Sequence, residues 1–314
     1  MAGLSHHAVL YAGEPDFAGA VAAPVGEALA AGMPVFAALP SERLDLLHSL
    51  LGVREHPSLQ PFDMRADGRN PARSMLQASA FFSQHPARQG LFVGEPLYPG
   101  RTREEAAEVA INEALVDVAF ADAPLTVLCP YDTVGLGGDD ALASAAATHG
   151  TVLRNGAPAC ACHGTPAERL AAALEPLPAP CELAVVLPVD MNLQLLRRRV
   201  RDFAGHRLAP QPLQLFQLAV CEAATNALRH GAPPATVSLW HESASVVCEV
   251  ADAGRCDDPG LGRRRPDPGT DGGHGLWLVQ HACDLVQIRS DGSGTRVRLR
   301  IRALPPAAPA DVQA

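Results

Sequence analysis

The stretch EPLPAP at residues 175–180 sets the first limit on what this chain can fold into. Proline at every second position removes backbone donors and forbids a helix, so no regular element runs through it. The chain is therefore expected to be two structures joined there. Its 314 residues, 47% of them hydrophobic, suffice for two separate cores. The two sides also differ in charge. Residues 1–180 hold 20 acidic and 10 basic residues, whereas residues 181–314 hold 14 and 15. Two domains of different character are the natural reading.

Composition removes several function classes. All 25 basic residues are arginine, which excludes any mechanism that needs a Schiff-base or P-loop lysine. A formal net charge of -9 argues against nucleic acid as a direct partner. No stretch reads as a signal peptide and no apolar run is long enough to span a membrane. The eight cysteines show no small-scaffold spacing, so a reducing, cytoplasmic compartment without membrane attachment is expected.

Before the proline stretch, strands alternate with helices. HHAVLYA at 6–12 reads as a strand followed by the acidic turn GEPD, then a helix over 17–31 and a strand over 33–39. The pattern continues with a helix at 41–51 and Ser41 as its N-cap, a helix at 71–85, and a strand at 90–93. A helix at 102–120, a strand at 125–129 and a helix at 141–149 follow. This alternation predicts a doubly wound α/β domain over 1–156, its mostly parallel sheet covered on both faces. Glu95, Glu113, Tyr131 and Asp132 fit either a ligand pocket at the strands' carboxyl ends or plain turn chemistry. His6 and His7 point to opposite faces of one strand, so a joint metal site is not expected. Residues 157–180 read as a Pro-rich linker, with little periodicity apart from 166–174. Its CACH segment carries Cys160, Cys162 and His163 without the usual C-x-x-C step, and a solvent-exposed segment is expected there.

After the prolines the grammar changes. A strand at 183–189 leads to a helix ending near His206, with Asp190 as its expected N-cap, and then to a helix over 213–231. Strands at 236–241 and 245–250, a Gly/Pro/Arg-rich stretch, a helix at 274–283 and strands at 285–290 and 295–301 complete the order. The turn DGSG between the last two strands is a strong hairpin signal. Helices on one side of antiparallel strands describe an α+β two-layer sandwich over 181–302. Residues 303–314 are expected to be a disordered tail.

Four pieces of this second half carry chemistry. Glu222 and Asn226 are one turn apart on the same helix face. A carboxylate can take a proton and an amide oxygen can ligate a hard cation; a cap or a solvated helix edge fits the pair as well. Asp252 and Gly254 end a strand, where a carboxylate accepts an amino proton and glycine lets the backbone turn beneath a flat base. Gly272, Gly273, His274, Gly275 and Leu276 open a helix whose free amides and dipole favour an anion. Gly292 to Thr295 form a tight turn that ends in a hydroxyl. Singly each piece is a turn or a cap.

In that order the pieces CEAATNALRHG, ADAG, GGHGLWLV and GSGT resemble the N, G1, G2 and G3 boxes of the GHKL ATPase/kinase (Bergerat) fold. Within it they resemble the anti-sigma-factor serine kinases of bacterial stress regulators. The first half resembles the MEDS sensory domain, a RecA-like module, through HHAVLY, RNPAR, VGEPLYPGR, NEAL, FADAPLTVLCPYD and THG. The combination is similar to the anti-sigma factor RsbA family. The resemblance implies that Glu222 is a general base and that Asn226 ligates Mg²⁺. It implies that Asp252, Gly254 and Thr295 bind adenine, and that Gly272, Gly273, His274, Gly275 and Leu276 hold the ATP phosphates. Implied partners are a sigma factor and a serine of a STAS-domain anti-anti-sigma protein, with an unidentified ligand for the first domain. A homodimer is left open, since relatives of this fold often pair.

Two departures limit the resemblance. GLGGDD at 135–140 lacks a lysine and is acidic, so the first domain is expected to sense or scaffold and not to hydrolyse nucleotide. The G1 box ends in Cys256 where the family often has glycine, which leaves an ATP-binding adaptor without kinase activity as the alternative. Arg263, Arg264 and Arg265 in the intervening lid fit a phosphate clamp, an acidic-partner contact or a solvated run. A histidine autokinase is rejected, because no helical hairpin with a phosphoacceptor histidine precedes the boxes; His230 reads as a helix C-terminal residue favoured by the dipole.

Overall fold

The computed structural model describes residues 3–86, 88–160, 162, 164–180, 185–189, 192–242, 244–264 and 273–304. The chain divides at Glu175/Pro176 into two compact units, and the proline stretch lies at that division.

The first unit runs β1 (Ser5–Tyr11), α1 (Gly13–Phe17), a π-helical turn (Ala18–Ala22), α2 (Ala23–Ala30), β2 (Val35–Leu39), α3 (Ser41–Leu51) and β3 (Leu59–Asp63). It continues with α4 (Ala72–Phe82), β4 (Gly90–Gly94), α5 (Arg103–Ala119), β5 (Leu125–Asp132), α6 (Gly138–Thr148), β6 (Val152–Arg154), β7 (Ala157–Pro158) and α7 (Pro166–Ala173). The sheet order is β3-β2-β4-β5-β1-β6-β7. Every pairing is parallel except the β6/β7 hairpin. Strands β2 and β4 are buried at all positions, as a sheet covered on both faces requires. Phe36 and Ala38 of β2 enter one core, and Val35, Ala37 and Leu39 enter the other. The period-2 alternation of a strand thus serves two helical layers.

Local chemistry differs from expectation in three places. Ser41 is the first helical residue, not the cap; Pro40 holds that position and Ser41 Oγ donates to Asp63 Oδ2 at 2.7 Å. Strand β3 is not expected from the sequence, because Gln60 and Pro61 interrupt its apolar pattern. As an edge strand with one buried residue, Leu59, it needs no such pattern. The stretch read as a linker from 157 holds β7 and α7. Thr165 and Glu168 close a capping box on α7, and Leu170 is buried in the first unit's core. By contrast, Thr102 and Glu105 form the capping box that starts α5 where the sequence pattern begins.

In the second unit, β8 (Val185–Pro188), α8 (Leu193–Ala204), α9 (Pro210–His230), β9 (Thr236–Glu242) and β10 (Ser245–Asp252) precede α10 (His274–Ala282), β11 (Leu285–Asp291) and β12 (Gly294–Arg302). The five strands are antiparallel in the order β11-β12-β10-β9-β8. Helix α8 is capped by Asn192, whose Oδ1 accepts from Leu195 N–H at 2.9 Å; Asp190 lies outside the described residues. Apolar residues of α8, α9 and α10 meet Val237, Leu239, Val246, Cys248, Val250, Val297 and Leu299 in one core. This is the two-layer α+β arrangement. On other positions of the same strands Arg298 Nε and Nη2 donate to Glu249 Oε2 at 3.0 and 2.6 Å, both side chains nearly buried.

Candidate functional site

Helix α9 spends its apolar residues on the core: Phe216, Ala219, Val220, Ala223 and Ala224 are buried. Glu222 and Asn226 are left half-buried along its flank. The start of α10 lies against that flank. A Cβ added to Gly275 would stand 2.9 Å from Glu222 Oε2 and 3.4 Å from Asn226 Nδ2. A side chain here would have to push the ends of Glu222 and Asn226 aside. Gly273, the N-cap of α10, has φ of 80° in the left-handed region, and no side chain caps the helix. Its first amides are therefore available to an anion beside the carboxylate and the amide.

The other wall is the β10–β12 edge. Asp252 Oδ1 accepts from Gly254 N–H at 2.7 Å and from Ala232 N–H at 3.2 Å. Two donors fix this carboxylate at the end of its strand. A Cβ on Gly254 would fall 2.8 Å from both Ala232 N and Asp252 Oδ1, so the glycine is required by space. Thr295 pairs with Asp252 across the ladder and donates from Oγ1 to Gly254 O at 2.9 Å. Ser290 Oγ lies 3.0 Å from Thr295 Oγ1 and accepts from Cys256 N–H at 2.8 Å. Since Thr295 gives its proton to Gly254, Ser290 donates to Thr295, and the relay ties both loops to β11 and β12.

Between these walls is a cavity of about 160 Å³. Ala227, Val250, Leu276, Ile288 and Val297 are among the residues that supply apolar surface, and Asn226, Asp252, Cys256 and Thr295, with His230 and Arg255, bring polar groups. A narrow apolar slot with one fixed carboxylate suits a flat heterocycle that bears an amino group. The structure thus brings together Glu222, Asn226, Asp252, Gly254, Gly273, Gly275, Leu276 and Thr295. His274 is exposed at the first turn of α10 and Leu276 is a wall and a core residue. Gly272 and Arg265 lie outside the described residues. Cys256 has ordinary backbone, because Asn155 is the one non-glycine with positive φ among the described residues. Its glycine-to-cysteine departure imposes no hinge strain; it places a thiol at the cavity.

Sequence reasoning missed Ser290 and Gly231. A Cβ on Gly231 would meet Asp252 Oδ1 at 2.3 Å, so this glycine admits the carboxylate as well as ending α9. Its place directly after the helix was the available signal. Ser290 offered none, since a serine on a strand gains its role only from register.

In the first unit Glu95 and Asp132 do meet at strand carboxyl ends. Tyr11 Oη donates to Glu95 Oε1 at 2.9 Å, and Arg43 pairs with Asp132 at 2.8 Å. Burial pushes Glu95 up to about 8. Asp132 also accepts from the amide of Gly13 at the start of α1 and from that of Val134; only the second of these is turn chemistry. Glu113 and Tyr131 lie apart from this pair, beside His149. Cys160 and Cys162 Sγ are 3.3 Å apart, and burial pushes Cys162 up to about 11; His163 lies outside the described residues.

Comparison with known proteins accounts for both halves. Residues 5–150 match the family model described as MEDS, the methanogen/methylotroph, DcmR sensory domain. Residues 189–301 match the histidine kinase-like ATPase domain. The chain carries a MEDS domain followed by a histidine kinase-like ATPase domain. The ATPase-domain match spans all of the site residues from Glu222 to Thr295. A solved structure of the RsbU and RsbW domains of a Mycobacterium tuberculosis protein is similar over 39% of this chain, at 18% identity and a TM-score of 0.30. The similarity covers 33% of that structure's chain. No curated protein matches. No described helix of either domain is long and apolar enough to cross a membrane.

Proposed function

We propose that the ATPase domain binds Mg·ATP and that the chain is a cytoplasmic anti-sigma regulator and protein-serine kinase. Its substrate is then a STAS-type anti-anti-sigma protein, and its output is set by the MEDS domain, which we read as RecA-like. The observation that carries this is the meeting of Glu222, Asn226 and the start of α10 beside the Asp252–Thr295 slot. The residues fit the group: the slot takes a purine, the glycines leave room for phosphates, and the amide offers a hard-cation ligand.

Asp252 accepts from the base amino group and Thr295 supports it through the Gly254 carbonyl. The amides that begin α10 would hold the phosphates, and Asn226 would offer its amide oxygen to the cation. When bound, Mg·ATP supplies the transferable phosphoryl group and neutralises its charge. Glu222 orients the incoming serine hydroxyl and takes its proton at the carboxylate. Positioning and electrostatics carry most of the rate.

The second reading is an ATP-binding anti-sigma or adaptor protein without significant transfer, and the thiol of Cys256 at the cavity favours it. Transfer of labelled phosphate from ATP to a co-encoded STAS protein separates the two. Serine phosphorylation supports the kinase; intact sigma-factor binding without any transfer at saturating Mg·ATP leaves the adaptor.

A further inference from the structure

Four ligand-capable side chains from four elements meet inside the MEDS domain: His6 of β1, Glu113 of α5, Cys129 of β5, and His149 immediately after α6. All four are buried, and one donor atom from each lies within 4.8 Å of the others. His149 Nε2 stands 3.0 Å from Glu113 Oε2, and His6 Nε2 stands 3.4 Å from Cys129 Sγ. Glu113 Oε2 and His149 Nε2 are both buried without a hydrogen bond of acceptable geometry among the described residues.

The outer nitrogen of each ring is already engaged. His6 Nδ1 lies 3.1 Å from Asp117 Oδ1, itself held by Arg169 at 2.9 Å. His149 Nδ1 lies 3.1 Å from the Ala145 carbonyl and 2.9 Å from Thr148 Oγ1, whose own proton goes to Ser144 O. Carboxylate and carbonyl oxygens only accept, so Nδ1 carries a hydrogen in both rings and Nε2 is the atom each ring turns toward the cluster, where the neutral ring has a lone pair for a metal. That is the arrangement by which outer partners fix histidine ligands of a metal. A buried carboxylate also requires a counter-charge.

We propose that the MEDS domain holds one divalent transition-metal ion of the zinc type on His6 Nε2, Glu113, Cys129 Sγ and His149 Nε2. A thiolate, two imidazoles and a carboxylate form a borderline donor set suited to tetrahedral Zn²⁺. Bonds of about 2.0–2.3 Å put tetrahedral donors roughly 3.3–3.8 Å apart, so small side-chain rotations close the cluster. Cys129 loses its thiol proton to solvent as the metal–sulfur bond forms. Because β1, β5, α5 and α6 each supply or flank a ligand, occupancy stiffens both sheet and helical layer. His6 and His7 still point apart along β1; His6 finds its partners across the sheet.

The test uses full-length protein without a histidine tag, stripped by chelator and titrated with Co²⁺ and Zn²⁺. One ion per chain is expected, with thiolate-to-cobalt charge-transfer absorption. X-ray absorption of the zinc form should show one sulfur and three nitrogen or oxygen neighbours. Cys129→Ser removes the charge-transfer band, and Asp117→Ala weakens Co²⁺ binding about 10–100-fold at unchanged stoichiometry. Cys160→Ser with Cys162→Ser leaves both signals intact. Failure of the wild-type chain to take up an equimolar ion overturns the proposal. So does a two-sulfur shell that vanishes with the Cys160 and Cys162 substitutions.

Discussion

In the proposed reaction Glu222 acts on the reacting hydroxyl and Gly275 on the space beside it, so their variants are expected to fail differently. Glu222→Gln is expected to slow phosphate transfer to the STAS protein by about 10²–10⁴-fold while calorimetry still finds Mg·ATP bound. Equal loss of binding and transfer would make the glutamate structural. Gly275→Ala puts a methyl 2.9 Å from Glu222 Oε2, so the free end of the glutamate must turn aside and the methyl takes space at the start of α10; nucleotide affinity should fall with it. In the MEDS domain Glu95, pushed up to about 8, gives a pH signature. Its folded form keeps a proton that the unfolded chain releases above the ordinary carboxylate range, so stability falls as pH rises from about 4.5 to 8. Glu95→Gln should flatten that slope in thermal unfolding; an unchanged slope would mean that Glu95 is ionised in the fold. Asp252, Gly254 and Thr295 were legible because glycine spacing and box order mark them. Ser290 was not, because its bond to Cys256 spans 34 positions and exists only once β11 and β12 are in register.

At the scale of elements, α9 shows what a sequence can carry. Its apolar spacing, its early prolines and Gly231 at its end give the helix within a few residues of Pro210–His230. Strands β9 to β12 were legible for the same reason, a regular period between clear turns. Elements that escaped were those whose stability comes from elsewhere: β3, paired only through β2 at the sheet edge, and the short β6 and β7; α7, short and alanine-rich, shows only as a weak period inside the stretch read as a linker. Helix α7 is held by its capping box and by Leu170. The sheet of the ATPase domain carries an equally hidden feature in the Glu249–Arg298 pair, with Arg298 also 5.2 Å over the Trp240 ring. Glu249→Ala leaves that guanidinium buried with the Pro178 carbonyl but without its carboxylate, and should cost about 3–5 kcal/mol in urea unfolding. An apolar replacement of both residues together should cost much less, and equal losses would show that packing and not charge sets the effect.

For the whole molecule, composition and order decided more than any single motif. The absence of lysine closed the P-loop route, and the change of grammar across EPLPAP is enough by itself to separate the two domains. What composition left open was chemistry inside the first domain. His6, Glu113, Cys129 and His149 span 143 positions in sequence and meet only when β1 and β5 pair and α5 and α6 cover them. Nucleotide binding by the second domain remains the central claim. If it holds, excess Mg·ATP raises that domain's stability, by about 2.7 kcal/mol at a hundredfold excess over Kd. The most direct test is calorimetric titration of the folded full-length chain with Mg·ATP. One nucleotide bound per chain, lost in Gly254→Ala, is the result expected; no uptake of any adenosine nucleotide by the wild-type chain would contradict it.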